Sequence, residues 1–298
     1  MGFINVFVAS GCAISIHNNT LLLSGERERS YPLQDINSIM LESRECTITS
    51  YALGEIAKAN IALYACDECH MPVGVFTPYN TYCRQLEMWN ALGSVTRPTL
   101  KKLWQSIVRQ KIYNEAICLD LMNIDGAELL ESIAAGVYSG DSGNGEAHAA
   151  QVYFCRLFGA DFSRRQDTVL NGALNYTYAI VRGIIARSLV VYGFLPFVGI
   201  HHRSVLNSYN LADDLIEPFR AICDYYVLNV TRDEWELTPE VKGRLYSIVN
   251  VEVSIEGEKH SLSNAIDKMI VSLKDIVNGS TAELSMPTLI GASIHRYE

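Results

Sequence analysis

Three separate stretches of the chain carry side chains able to hold a divalent cation. In Asp141-Ser-Gly-Asn-Gly-Glu146-Ala-His148 a flexible run leads into a helix, so Glu146 falls in or near its first turn. A carboxylate there also complements the helix dipole, which leaves a plain helix-terminal glutamate as the alternative role. Gly199-Ile-His201-His202-Arg203 lies in a connection after a long apolar segment and Pro196. A loop histidine offers a neutral nitrogen ligand, and the adjacent arginine suits a phosphate oxygen. Neighbouring histidines on extended backbone point to opposite sides, so only one serves such a site, and a hydrogen-bonding role is open to either. In Asp213-Asp214-Leu-Ile-Glu217-Pro218-Phe-Arg220 the spacing i, i+3, i+6 aligns Asp214, Glu217 and Arg220 along one helix face. Carboxylates so close repel until a proton, a cation or solvent relieves them. Pro218 confines the helix to a nearby start or a kink, and Asp213 or Asp214 can equally be its N-cap.

Two acids and a histidine make a hard site suited to Mg2+ or Mn2+ rather than to structural zinc. Such ions serve phosphoryl chemistry by stabilising charge on phosphate and activating a hydroxyl. Cys66 and Cys69, followed by His70, have the spacing of half a zinc site, but no second cysteine pair completes it. A nucleophile elbow, a phosphate-binding loop and a dinucleotide fingerprint are all absent from the sequence, so covalent catalysis and nucleotide cofactors are set aside.

The elements that must position these residues change character along the chain. Up to about Val75 the pattern is short and strand-like: 4–9, 12–16, 20–24, 36–41 and 61–65, with turn residues between and one helix at 50–59. After Pro78, helical spacing recurs at 86–89, 100–121, 127–135, 147–158, 171–192 and 211–227, with a further helix at 262–277 before a loose end. The expected fold class is α+β: a small β-rich domain over residues 1–78, then a larger all-α catalytic domain over 79–298.

With 298 residues, 49% of them hydrophobic, the chain can bury a large core. The strand-like alternation of residues 1–10 leads us to expect no signal peptide, and the most apolar segment, Ala179 to Ile200, holds Arg182 and Arg187 and is broken by Gly193 and Pro196. A cytoplasmic protein without membrane contact, its eight scattered cysteines reduced, is expected. The net charge of -9 weighs against nucleic acid, yet Lys101, Lys102, Arg109 and Lys111, then Arg164 and Arg165, then Arg203 and Arg220 form local basic clusters. Those residues can also simply solvate helix faces.

Taken in order, Gly145-Glu-Ala-His-Ala-Ala-Gln-Val-Tyr-Phe154, Leu174-Asn-Tyr-Thr-Tyr-Ala-Ile180, Gly199-Ile-His-His202 and Asp213-Asp-Leu-Ile-Glu-Pro-Phe-Arg220 resemble the spacer-capturing integrase and endonuclease family of CRISPR adaptation, in its type II form. Leu41-Glu-Ser43, Thr49-Ser50 and Cys66-Asp-Glu-Cys-His-Met-Pro72 extend the resemblance over nearly the whole chain. It implies metal ligation by Glu146, His202 and Glu217, with His202 chosen over His201 because the family's glycine falls on Gly199. It further implies an assisting Asp214, and DNA contacts from Arg220, Arg203, Asn175, Tyr176 and Tyr178. Gln151 and Thr177 depart from the family, which has arginine and glycine there. The implied reaction is attack of a DNA 3′-hydroxyl on a phosphodiester of a CRISPR repeat. The implied partners are double-stranded DNA, a second copy in a homodimer, and a small second CRISPR-associated protein in a heterohexamer-like complex, with further type II proteins. Two other readings stay open: a stand-alone metal-dependent endonuclease, and a non-catalytic helical scaffold in which Glu146 lies far from His202 and Glu217.

Overall fold

The computed structural model describes residues 4–68, 71–76, 78, 85–232, 234–280 and 283–295. Alternating apolar residues at the start form β1 (Ile4–Val8). β2 (Ala13–His17) and β3 (Thr20–Ser24) make a hairpin closed by Asn18 and Asn19, with φ of 47° and 57°. This is the two-residue turn whose twist suits a hairpin, and asparagine tolerates its left-handed backbone. β4 (Arg29–Pro32), β5 (Ile36–Leu41) and β6 (Thr47–Ile48) follow, then α1 (Ser50–Lys58), capped by the Thr49 hydroxyl, then β7 (Ala62–Cys66) and β8 (Pro72–Phe76). One sheet has the order β1-β5-β7-β8, parallel except for β8; the other has the order β4-β3-β2-β6. Both sheets and α1 share a core that includes Val6, Ile14, Leu21, Ile39 and Ile56.

The rest is mainly helical: α2 (Gln85–Ser94), α3 (Arg97–Leu121), α4 (Ala127–Ala135), α5 (Gly145–Phe158), α6 (Val169–Val191), α7 (Asn210–Leu215), α8 (Arg220–Thr231) and α9 (Pro239–Tyr246). Then come β9 (Val251–Ile255), β10 (Glu258–Ser261), α10 (Leu262–Val277) and β11 (Thr288–Ile294). The strand-rich start followed by a helical region is the α+β arrangement expected from the pattern. In place of the expected loose tail, β9, β10 and β11 form a three-stranded antiparallel sheet. Val251, Val253 and Ile255 alternate inward along β9, and Glu256 with Gly257, both at positive φ, turns the chain into β10.

The long helices α3 and α6 are the frame of the helical region: α3 packs on α4, α5 and α8, and α6 on α8, α9 and α10. The first sheet docks on α6 through Tyr64, whose hydroxyl donates to the Ile180 carbonyl at 3.1 Å. Gly183 makes room for that ring, since a Cβ there would lie 2.2 Å from Tyr64 Cε1. Arg187 donates to Asn37 Oδ1 at 2.9 Å and the Tyr246 hydroxyl to Ser38 Oγ at 2.5 Å. Among the described residues, no helix is long and apolar enough to cross a membrane.

Candidate active site

Glu146 stands in the first turn of α5, and the carboxylate of Asp141 fixes that turn by accepting from the N–H groups of Gly145 (2.7 Å) and Glu146 (3.2 Å). These donors have no partner inside the helix, so the acid replaces one. The loop before it turns through Gly140, Asp141 and Asn144 at positive φ. Glu146 Oε1 then receives the ammonium of Lys111, from the middle of α3, at 2.7 Å.

His202 is placed by Asp214. The fully buried Asp214 carboxylate accepts the N–H groups of Ile200 (2.5 Å), His201 (2.9 Å) and His202 (3.0 Å), and Oδ1 lies 2.7 Å from His202 Nδ1. Both of its oxygens are therefore engaged in shaping the loop. The wrap is tight enough to require glycine at 199: a Cβ there would lie 2.2 Å from the His202 carbonyl oxygen and 2.9 Å from Asp214 Oδ2. Asn210 closes the far side, donating to the carbonyls of Phe197 (3.0 Å) and Ser204 (2.9 Å). The two histidines diverge, their planes 88° apart: His201 stacks on Trp104 at 4.2 Å, while His202 meets the Trp104 edge.

Glu217 sits where Pro218 interrupts the helix. α7 ends at Leu215, residues 217–219 form a 3-10 turn, and α8 restarts at Arg220, so the segment is kinked rather than continuous. The Asn114 amide takes the Pro218 carbonyl at 2.7 Å and thereby locks the turn to α3. Glu217 Oε1 accepts from Arg220 Nε at 2.8 Å, and Glu217 Oε2 lies 2.6 Å from the Lys111 ammonium. The structure thus brings Glu146 and Glu217 onto one buried positive charge, with Arg220 behind Glu217.

Electrostatics follow from this crowding. Burial alone would raise the Glu217 carboxyl, but Lys111 and Arg220 outweigh it and hold it down at about 2. Burial alone would lower the Lys111 ammonium, but Glu217, Glu115 and Glu146 hold it above its ordinary value. Glu115, one turn along α3, is pushed up to about 8 by burial, with Asp224, Glu217 and Glu146 adding to the push against Lys111. Asp224 rises to about 6 through burial, although the hydroxyls of Tyr178 and Tyr153 donate to it. The hydrogen bond to Asp214 lifts the His202 imidazole above its usual value.

On the solvent side of His202 lies a cleft of about 620 Å³ whose lining includes Trp89, Phe197, Arg203 and Val205. Arg203 also borders a second cleft of about 350 Å³ with Arg97, Lys101 and His201. Arg203 and Asn175 are exposed, and Asn175 accepts from Arg164 at 2.6 Å. Tyr178 lies under the guanidinium groups of Arg220 and Arg164, at 4.9 and 5.4 Å. Tyr176 and Tyr178 are both buried in α6, and the Tyr178 hydroxyl donates to Asp224.

The model of the family "CRISPR associated protein Cas1" matches residues 6–240. A CRISPR-associated endonuclease Cas1 from Neisseria meningitidis serogroup C is 40% identical over 300 residues, 99% of each chain. This chain belongs to the Cas1 family. Its fold is similar to that of a casposase bound to integration product, at a TM-score of 0.76 and 17% identity over 95% of this chain and 92% of that one. It also resembles a chain of a Cas6-RT-Cas1–Cas2 complex, at a TM-score of 0.68 and 16% identity over 92% of this chain and 35% of that one.

For a Cas1-family chain the test of a metal site lies in the donors. Among the described residues, no three His, Cys, Asp or Glu side chains close on one point. Glu146 and Glu217 nevertheless converge on a cation, the Lys111 ammonium, and Asp214 engages Nδ1 of His202, so that Nε2 is the ring nitrogen that could ligate. That donor set fits a hard divalent ion. The Cys66 thiol lies 3.7 Å from the Met40 sulfur and burial pushes it up to about 11, while Cys69 and His70 lie outside the described residues. Sequence reasoning placed Lys111 among surface charges and gave Asn114, Glu115 and Asp224 no role. The signal was present in α3, where residues 104, 107, 111, 114 and 118 share one inward face.

Proposed function

We propose that this Cas1-family protein is a metal-dependent DNA integrase of CRISPR adaptation, joining short DNA fragments to a CRISPR repeat by direct transesterification. The observation that carries the reading is the meeting of Glu146 and Glu217 on one buried cationic point, beside the loop in which Asp214 holds His202. Glu146, His202 and Glu217 would hold Mg2+ or Mn2+, which would supply stabilisation of charge on the phosphate and favour loss of the proton from the attacking hydroxyl. The Asp214 carboxylate fixes the proton on Nδ1 of His202 and leaves Nε2 as the free nitrogen. Arg220 keeps Glu217 ionised and aimed. The 3′-oxygen forms the new P–O bond as the strand's own 3′-oxygen leaves, so no covalent enzyme intermediate is needed.

DNA contact is assigned to Arg203, which borders both the cleft beside His202 and the one beside His201, and to Arg97 and Lys101 in the latter, with bases at an unpaired end resting on Trp89 and Phe197 in the former. This basic strip makes double-stranded DNA acceptable to a chain of net charge -9. The protein works in the cytoplasm as a homodimer with a small second CRISPR-associated protein, and with other type II proteins that select the DNA. Similarity to a chain of a Cas1–Cas2 assembly supports the partner.

The reading is tested by incubating the protein and its small partner with a labelled duplex and a supercoiled plasmid carrying a CRISPR repeat. Label joined to the plasmid only with Mg2+ or Mn2+ is the expected result. Cleavage without joining overturns it in favour of a stand-alone endonuclease, and intact DNA throughout overturns it in favour of a scaffold.

A further inference from the structure

We propose that Lys111 is the resident counter-cation of this site, its ammonium holding the position a divalent ion takes, so that metal loading requires its displacement. The proposal rests on the metal-binding reading above and adds how loading is controlled. Lys111 occupies the core-facing stripe of α3 between Ile107, Val108 and Ile112, where a charged side chain is unfavourable unless paired. Its partners are Glu146 Oε1 at 2.7 Å and Glu217 Oε2 at 2.6 Å. The other Glu217 oxygen belongs to Arg220, so the Glu217 oxygen left to ligate a metal is one that the ammonium covers, as it also covers Oε1 of Glu146. Glu217 Oε2 is buried with the Lys111 ammonium as its close partner at 2.6 Å. One ammonium faces two carboxylates, with Glu115 and Asp224 buried behind them. A dication at that point would set two charges against the Glu146 and Glu217 oxygens where the ammonium sets one. Ligand distances to a small dication are shorter than these contacts, so one ion can draw both oxygens inward once the ammonium leaves.

The test is equilibrium binding of Mn2+ to the full chain, comparing the parent with Lys111→Met and Lys111→Gln by calorimetry and by the thermal shift that Mn2+ produces. Removing the competitor is expected to tighten Mn2+ binding by roughly tenfold or more, with a larger thermal shift than in the parent. Variants that fold only when Mn2+ is present support the proposal too, since the metal then restores the missing charge. Binding equal to or weaker than the parent's, or failure to fold even with Mn2+, overturns it and makes Lys111 a spacer that sets the carboxylates. Silence toward Mn2+ in parent and variants alike overturns the metal-binding reading itself, an outcome distinct from parent binding without a gain in the variants.

Discussion

At Gly199 the backbone passes so near His202 and Asp214 that a methyl group has no room. Gly199→Ala is expected to cost about 1–3 kcal/mol and to depress strand joining far more than it depresses helical content, checked by thermal melts beside activity. A second residue-scale prediction concerns Glu115, whose carboxyl moves from an ordinary 4.5 to about 8 on folding. Because the folded state holds that proton more tightly, its contribution to stability is complete below about pH 4.5 and is lost as pH rises through about 8. Glu115→Gln should therefore raise the melting temperature relative to the parent above about pH 8 and flatten its dependence between those limits; an unchanged slope would count against the assignment. At this scale the sequence disclosed the ligand candidates, since carboxylates and imidazoles announce their chemistry. It hid Lys111, because a lysine near Lys101, Lys102 and Arg109 reads as surface charge until its helical phase with Trp104 and Ile107 is weighed.

At the scale of elements, the site depends on how α3 grips a broken helix. The Asn114 amide donates to the carbonyls of Pro218 (2.7 Å) and Pro287 (2.9 Å), and its oxygen accepts from the N–H of Leu289 (3.0 Å). One side chain thereby ties the Glu217 turn to β11. Asn114→Ala strands these buried groups and should cost about 3 kcal/mol, with a parallel loss of activity as Glu217 drifts; denaturant titration and a joining assay measure the two. The kink was legible, because Pro218 cannot continue a helix. The β9–β11 sheet was not. Val251, Val253 and Ile255 alternate clearly, but Glu-Gly is a weaker turn signal than Asn-Asn, and the acidic residues between them read as solvated charge.

At the scale of the molecule, the two sheets of the first region and the long helices behind the site are joined by Tyr64, Arg187 and Tyr246 rather than by a bare linker. The strand-rich start and the long helices that follow it were readable from hydrophobic period. The meeting of residues 146 and 217 on Lys111 was not, since it depends on Asp141 and Asn114, which fix the two turns that carry them, while Asp214 separately shapes the His202 loop. His201 and His202 separate the site from its setting, one stacked on Trp104 and the other held by Asp214. The most direct measurement is therefore strand joining by His202→Ala and His201→Ala side by side, in the presence of Mn2+ and with folding monitored. Loss of joined product in His202→Ala with substantial joining in His201→Ala is the predicted result, and joining by folded His202→Ala at the parent's rate would contradict the account.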